Sequence, residues 1–164
     1  MHVPHQWGDG DLGLTNYIGH PGQGAASGFI WLQRDPQAPI AFVANRAYLN
    51  SRLRGMAFAA GYSLQFELGP LSEASIGNVG MNPDSAGWID HVMTPVGGLA
   101  IMVAEDVLDR FVVGPIERRT DSVVVRAMAR MLLNPARATA NVAAVQTPWY
   151  RADRPLRPRA GLIP

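Results

Sequence analysis

The chain lacks two residue types altogether, since its 164 residues include neither cysteine nor lysine. Without cysteine there is no disulfide, no thiolate nucleophile and no thiolate-ligated zinc. All fourteen basic residues are therefore arginine. Arginine pairs bidentately with carboxylates and phosphates and tolerates partial burial.

Charge is also scarce. Only 16% of the residues are charged, against about 25% in an ordinary soluble domain. A net charge of +1 argues against broad electrostatic binding of nucleic acid, which needs a clustered positive surface. Long apolar runs are missing as well, because none approaches the roughly 18 residues that a membrane-spanning helix requires. The first fifteen residues have neither the basic nor the apolar region of a secretory signal. The sequence still allows buried helices and helices that lie at a membrane interface.

The pattern of apolar residues and helix breakers predicts an all-α protein with one core. Proline is favoured at the first position of a helix and glycine after its end, and these signals divide the chain into about five helices. The predicted helices cover about 21–33, 45–68, 95–111, 122–133 and 135–145. Residues 1–154 should form a single domain. Residues 155–164 should be an extended or disordered tail, because the last eighteen residues carry four prolines and four arginines.

Two of the predicted helices begin in the same way. "HPGQG" at 20–24 and "TPVGG" at 94–98 both have proline followed three residues later by glycine, then a run of small apolar residues. Proline starts such a helix, and glycine one turn later lets another backbone come close. We therefore expect close helix packing, in a dense bundle or in lipid. The residues assigned this structural role are Pro21, Gly24, Gly28, Pro95 and Gly98, with Gly97 beside them.

An ordered set of motifs resembles an uncharacterised family of bacterial envelope-associated proteins. The motifs are "NYIGHPGQG", "QFELGPLSEASIGN", "DHVMTPVGG" with "AEDVLDR" after it, and the late "NPARATANV". They cover roughly residues 7–154. The resemblance implies a helical envelope protein without an assigned activity. The chain departs from the family pattern at Ala104, where the family has glycine.

Candidates for chemistry are the ionisable residues in or beside the apolar segments. They are His20, Glu67, Glu73, Asp90, His91, Glu105, Asp106 and Asp109. One hypothesis is a histidine–carboxylate centre that binds a divalent cation and activates water. The preferred interpretation is structural and assigns no metal and no cofactor. In it, His20 caps a helix N-terminus, Glu67 and Glu105 are buried against Arg52, Arg54 or Arg110, and Asp106 pairs with Arg110 four residues later.

Three functions follow from these patterns. The preferred one is a membrane-associated helical envelope protein with a structural or interaction role, which has a membrane or an envelope protein as partner, binds no nucleic acid and can form homo-oligomers. The first alternative is a metal-assisted hydrolase of an envelope substrate. The second is a soluble helical subunit, which predicts a charged outer face on every helix. The methionines of "MARMLL" are predicted to fill the core.

Overall fold

In the computed structural model, residues 7–8, 11–39, 41–68 and 88–156 are described, and they form an all-α bundle without strands. Helix α1 spans His20–Leu32 and α2 spans Arg46–Leu68. A long bent segment follows, composed of α3 (Ile89–Val92), α4 (Gly98–Leu108) and α5 (Gly114–Arg119). Helices α6 (Val123–Leu133) and α7 (Pro135–Ala143) complete the bundle. The five helical segments confirm the predicted fold class.

Prolines inside the helical segments coincide with π-helical turns. The π-helical turns are Thr15–Gly19 before Pro21, Met93–Gly97 around Pro95, and Asp109–Val113 before Pro115. A proline inside a helix has no N–H to donate, and its ring collides with the carbonyl four residues earlier. The wider π-helical turn relieves both problems without ending the helix.

This geometry corrects the predicted role of His20. Helix α1 does carry Pro21 in its first turn, but the helical chain continues backwards through the turn Thr15–Gly19. The backbone N–H of His20 donates to the carbonyl of Thr15. His20 therefore lies within a helical segment, its side chain makes no cap, and the prediction that it caps a free N-terminus is wrong. Likewise α4 begins three residues after Pro95 rather than at it.

Helix α1 lies at the centre of the bundle, where it packs against α2, α4 and α7. Its buried residues Ala25 and Phe29 form the core with Met102 of α4 and two alanines of α7, Ala136 and Ala140. Small side chains dominate this core. The helices therefore pack mainly by close approach of their backbones rather than by interlocking of large side chains.

The closest approach is between α1 and the chain that enters α4. A Cβ atom placed on Gly24 would lie 1.8 Å from the carbonyl oxygen of Thr94, and one on Gly98 would lie 2.7 Å from the carbonyl carbon of Gly24. One turn later, Gly28 faces Met102 and the backbone of Gly55 in α2. The structure thus places the glycines of both proline motifs at one three-helix contact.

The C-terminal segment, residues 144–156, is irregular and packs on the helices. The predicted domain runs to residue 154 although the composition is rich in proline and arginine from residue 147 onward, and in this part Arg151 is buried and the carbonyls of Pro148 and Tyr150 accept hydrogen bonds from Asn141. Buried arginines hold this segment, which proline content alone does not reveal. The rest of the predicted tail, residues 157–164, lies outside the described residues.

Candidate functional site

His20 and Asp90 meet beside the α1–α4 contact. His20 Nε2 lies 3.2 Å from Asp90 Oδ1, and both side chains are almost buried. The two atoms are close enough for an ion pair, but they are not aligned as a hydrogen bond. The neighbouring His91 turns away and packs edge-on against Trp88, and burial lowers its pKa. The structure therefore brings His20 to Asp90 and separates it from His91.

Glu105 belongs to α4 but caps the N-terminus of α7. Its carboxylate accepts the backbone N–H groups of Ala136 and Arg137, at 2.7 and 3.0 Å, in the first turn of α7. These N–H groups have no partner within their own helix, and the helix dipole favours an anion there. Burial raises the pKa of Glu105, although the two N–H bonds oppose that rise. The predicted pairing of Glu105 with Arg52, Arg54 or Arg110 is wrong.

Asp106 is the most fully enclosed carboxylate of α4. It accepts hydrogen bonds from the Tyr48 hydroxyl at 2.7 Å and from Arg52 Nε at 2.8 Å, and it also pairs with Arg137. Burial, and then the adjacent carboxylate, raise the pKa of Tyr48. The predicted partner Arg110 donates instead to the carbonyl oxygen of Phe42. The expected i, i+4 pair between Asp106 and Arg110 does not form, because Arg52 and Arg137, from other helices, bind the Asp106 carboxylate.

Asp109 and Glu117 continue the same side of the helical segment and hold the C-terminal segment. Asp109 lies 3.2 Å from Arg151 Nε and also pairs with Arg154. Glu117 pairs with Arg130 and lies 3.0 Å from Arg154 Nη1. We call this set the buried ion-pair network, and its members are Asp106, Asp109, Glu117, Arg52, Arg130, Arg137, Arg151 and Arg154.

Of the candidate carboxylates, Asp106 and Asp109 are engaged by the arginines of this network. Within the described part of the chain, no group of three or more histidine, aspartate or glutamate side chains is placed to hold a metal ion. Glu67 lies half-buried near the end of α2, and Glu73 lies outside the described residues. Sequence reasoning missed Glu117 and the arginines of α6 and the C-terminal segment, whose partners are distant along the chain.

Helix α6 exposes its apolar side. Arg126 and Arg130 are buried, whereas Val124 and Leu132 are 70% and 69% exposed. We define the outer α6 face as Val124, Val125, Met128 and Leu132, which are all exposed and lie on one side of the helix at the spacing of a helical stripe. The prediction that Met128 fills the core is wrong, because α6 turns Arg126 and Arg130 inward, where Arg130 pairs with Glu117.

No helix among the described residues combines the length and apolarity needed to cross a membrane. No protein-family model matches the chain, and neither a curated protein nor a solved structure is significantly similar to it. The resemblance to an envelope-associated family therefore stays a prediction based on its motifs.

Proposed function

We propose that the protein is a membrane-associated helical protein of the bacterial envelope, with a structural or interaction role, and that it attaches to the membrane surface through the outer α6 face. The observation that carries this proposal is the inverted orientation of α6, which buries Arg126 and Arg130 and turns Val124, Met128 and Leu132 outward. A helix in water normally shows the opposite orientation. A contiguous apolar surface of this kind is typical of an interaction site.

The outer α6 face is better suited to contact with a lipid surface than with water. An amphipathic helix binds at the interface when its apolar side enters the boundary between headgroups and acyl chains and basic residues lie nearby. Arg118 and Arg119 are exposed just before α6, and α6 itself contains no acidic residue. Moving the exposed parts of the four apolar side chains out of water is worth on the order of 1 kcal/mol each. Anionic lipid would add the attraction of the two arginines.

Co-sedimentation with vesicles tests the proposal. We expect the protein to bind vesicles that contain anionic phospholipid. The double variant Val124→Gln, Leu132→Gln should bind about tenfold more weakly or worse, since it loses roughly 2 kcal/mol of apolar transfer. The matched control is Leu49→Gln, Leu64→Gln, which removes two half-exposed leucines of α2 and should bind like wild type. Equal binding by the two double variants, or no binding by wild type, would refute attachment through α6.

The other two functions predict different results. A soluble subunit would itself remain in the supernatant when the vesicles sediment, whichever face is altered. A metal-assisted hydrolase would need a further ligand beside His20 and Asp90. Among the candidate carboxylates outside the network, Glu67 lies near the end of α2 and Glu73 lies outside the described residues. Metal content of the purified protein, compared with that of His20→Asn, separates this alternative from the proposed function.

A further inference from the structure

A cavity of about 340 Å³ lies between the end of α1, the loop that follows it, α2, α7 and the C-terminal segment. Its volume falls at the lower end of the range for small-molecule sites, about 300–1,000 Å³. Apolar walls come from Leu32, Pro36 and Pro39. Three arginines, Arg52, Arg137 and Arg151, also line it. We call it the arginine cavity.

The arginines of this cavity are held rigidly. The guanidinium of Arg137 stacks on the Phe29 ring at 4.4 Å from the ring centroid, and Arg52 lies over the ring of Tyr48 at 4.3 Å. Arg52 also donates to the carbonyl of Pro39 and the hydroxyl of Ser51. Rigid guanidinium groups lose little conformational entropy when they bind an anion, so the site is preorganised.

Hydrogen-bonding capacity is left over at the inner wall. Arg52 and Arg137 pair with the same carboxylate, that of Asp106, and the carboxylate of Glu105 also acts on Arg137 and Arg151. The buried Nε of Arg137 has no hydrogen-bond partner among the described residues. Burial, together with the nearby charges of Arg137 and Arg130, lowers the pKa of Arg151 to about 10 despite its pairing with Asp109. A further anion would relieve this repulsion.

The acidic side chains of the wall are already engaged. Asp35 accepts two hydrogen bonds from Arg54, at 2.7 and 3.0 Å, and Asp153 lies 3.2 Å from Arg154 Nε. Neither arginine belongs to the cavity wall. Arg52 and Arg137 have no carboxylate partner in the cavity wall, so their guanidinium groups are the charges that an anion inside the cavity would contact.

We propose that the arginine cavity binds a small organic anion, with its carboxylate or phosphate group on Arg52 and Arg137 and its apolar body against Leu32, Pro36 and Pro39. The proposal is independent of membrane attachment, since no residue of the outer α6 face lines the cavity. A carboxylate and a phosphate can each accept two parallel hydrogen bonds from a guanidinium group, so these arginines suit both anions.

Calorimetric titration of the full chain tests the proposal with four probes. Phenyl phosphate and benzoate distinguish the two anionic groups, benzyl alcohol is the neutral analogue, and inorganic phosphate lacks the apolar body. We expect at least one aromatic anion to bind about tenfold or more tighter than benzyl alcohol, because a charge-assisted hydrogen bond is worth that much. Inorganic phosphate should bind more weakly than phenyl phosphate if the apolar wall takes part.

Two variants locate the site. Arg137→Gln should weaken binding of the preferred anion about tenfold. Ala38→Trp should abolish it by filling the cavity without removing any charge, so it decides the matter even if Arg137→Gln fails to fold. The control Arg34→Gln removes an exposed charge outside the cavity wall and should leave affinity unchanged. No saturable binding of either aromatic anion, equal binding of benzyl alcohol, or full binding by Ala38→Trp would overturn the proposal.

Discussion

At the scale of single residues, three of the carboxylates proposed for chemistry, Glu105, Asp106 and Asp109, have structural partners. Glu105 binds two backbone N–H groups of α7, and Asp106 and Asp109 each contact two arginines. A buried charge is stable only when it is paired and hydrogen-bonded. The sequence shows that carboxylates lie in an apolar helix. It does not show their partners, which are 31 to 58 residues away along the chain for Glu105 and Asp106.

Glu105 provides a test at this scale. Glu105→Ala leaves two N–H groups at the start of α7 without their acceptor and should lower the free energy of unfolding by about 2 kcal/mol at pH 7. Glu105→Gln should cost less, because it resembles the protonated acid that burial favours. Since the folded pKa of Glu105 is raised, protonation stabilises the folded state.

The pH dependence of the same variants follows from that sign. Wild type should gain stability relative to Glu105→Gln as pH falls from above the folded pKa towards 4.5, the ordinary value. Urea unfolding across this window measures both differences. Two results would contradict this account: an equal loss of unfolding free energy in Glu105→Gln and Glu105→Ala, or a stability difference between wild type and Glu105→Gln that shrinks on acidification. Either result would show that the fold requires the ionised carboxylate.

At the scale of elements, helix positions were largely predictable, including the start of α7 at Pro135, but the role of Pro21 and Pro95 was not. The predicted range 45–68 differs by one residue from the observed Arg46–Leu68, because Gly69 and Pro70 mark its end clearly. Pro21 and Pro95 indicated helix starts on the same logic. The π-helical turns around them carry the helix through, and nothing in local spacing distinguishes these two outcomes.

The glycine contact can be tested with two positions in one helix. Gly24→Ala places a methyl group against the backbone of Thr94, so the helices must separate, at a cost of about 1–3 kcal/mol. Gly22→Ala, two residues earlier in α1, meets no atom within 4 Å and should stabilise by roughly 0.5–1 kcal/mol, because alanine favours the helix. Thermal unfolding compares them. If both variants shift the melting temperature in the same direction, close packing at Gly24 does not limit stability.

At the scale of the whole molecule, the buried ion-pair network joins α2, the α4–α5 segment, α6, α7 and the C-terminal segment. Its arginines also explain the inverted orientation of α6, since Arg130 reaches Glu117 and the carbonyls of Trp149 and Arg154. With these groups inside, the apolar side of α6 has to face outward. The pattern of α6 predicted an amphipathic helix, but amphipathicity does not say which side is buried.

Loss of one carboxylate should release the C-terminal segment. Asp109→Asn removes the charge that holds Arg151 and Arg154 and leaves the buried Arg151 without its counterion, which should cost about 3 kcal/mol. Trypsin should then cleave after Arg151, which is followed by alanine, faster than in wild type. Arg54→Gln is the control. The Arg54 side chain, which pairs with Asp35, is 42% exposed, and surface ion pairs contribute little to stability. Unchanged cleavage of Asp109→Asn would mean that other contacts hold the segment.

The most direct test of the membrane proposal uses the absence of cysteine. A single cysteine can be introduced in the outer α6 face as Met128→Cys, or at an exposed polar position of α2 as Gln65→Cys, and labelled with an environment-sensitive fluorophore. On addition of anionic vesicles, the label at position 128 should brighten and shift to shorter wavelength as it leaves water, while the label at position 65 should not change. An unchanged spectrum at position 128, or equal shifts at both positions, would contradict attachment through α6.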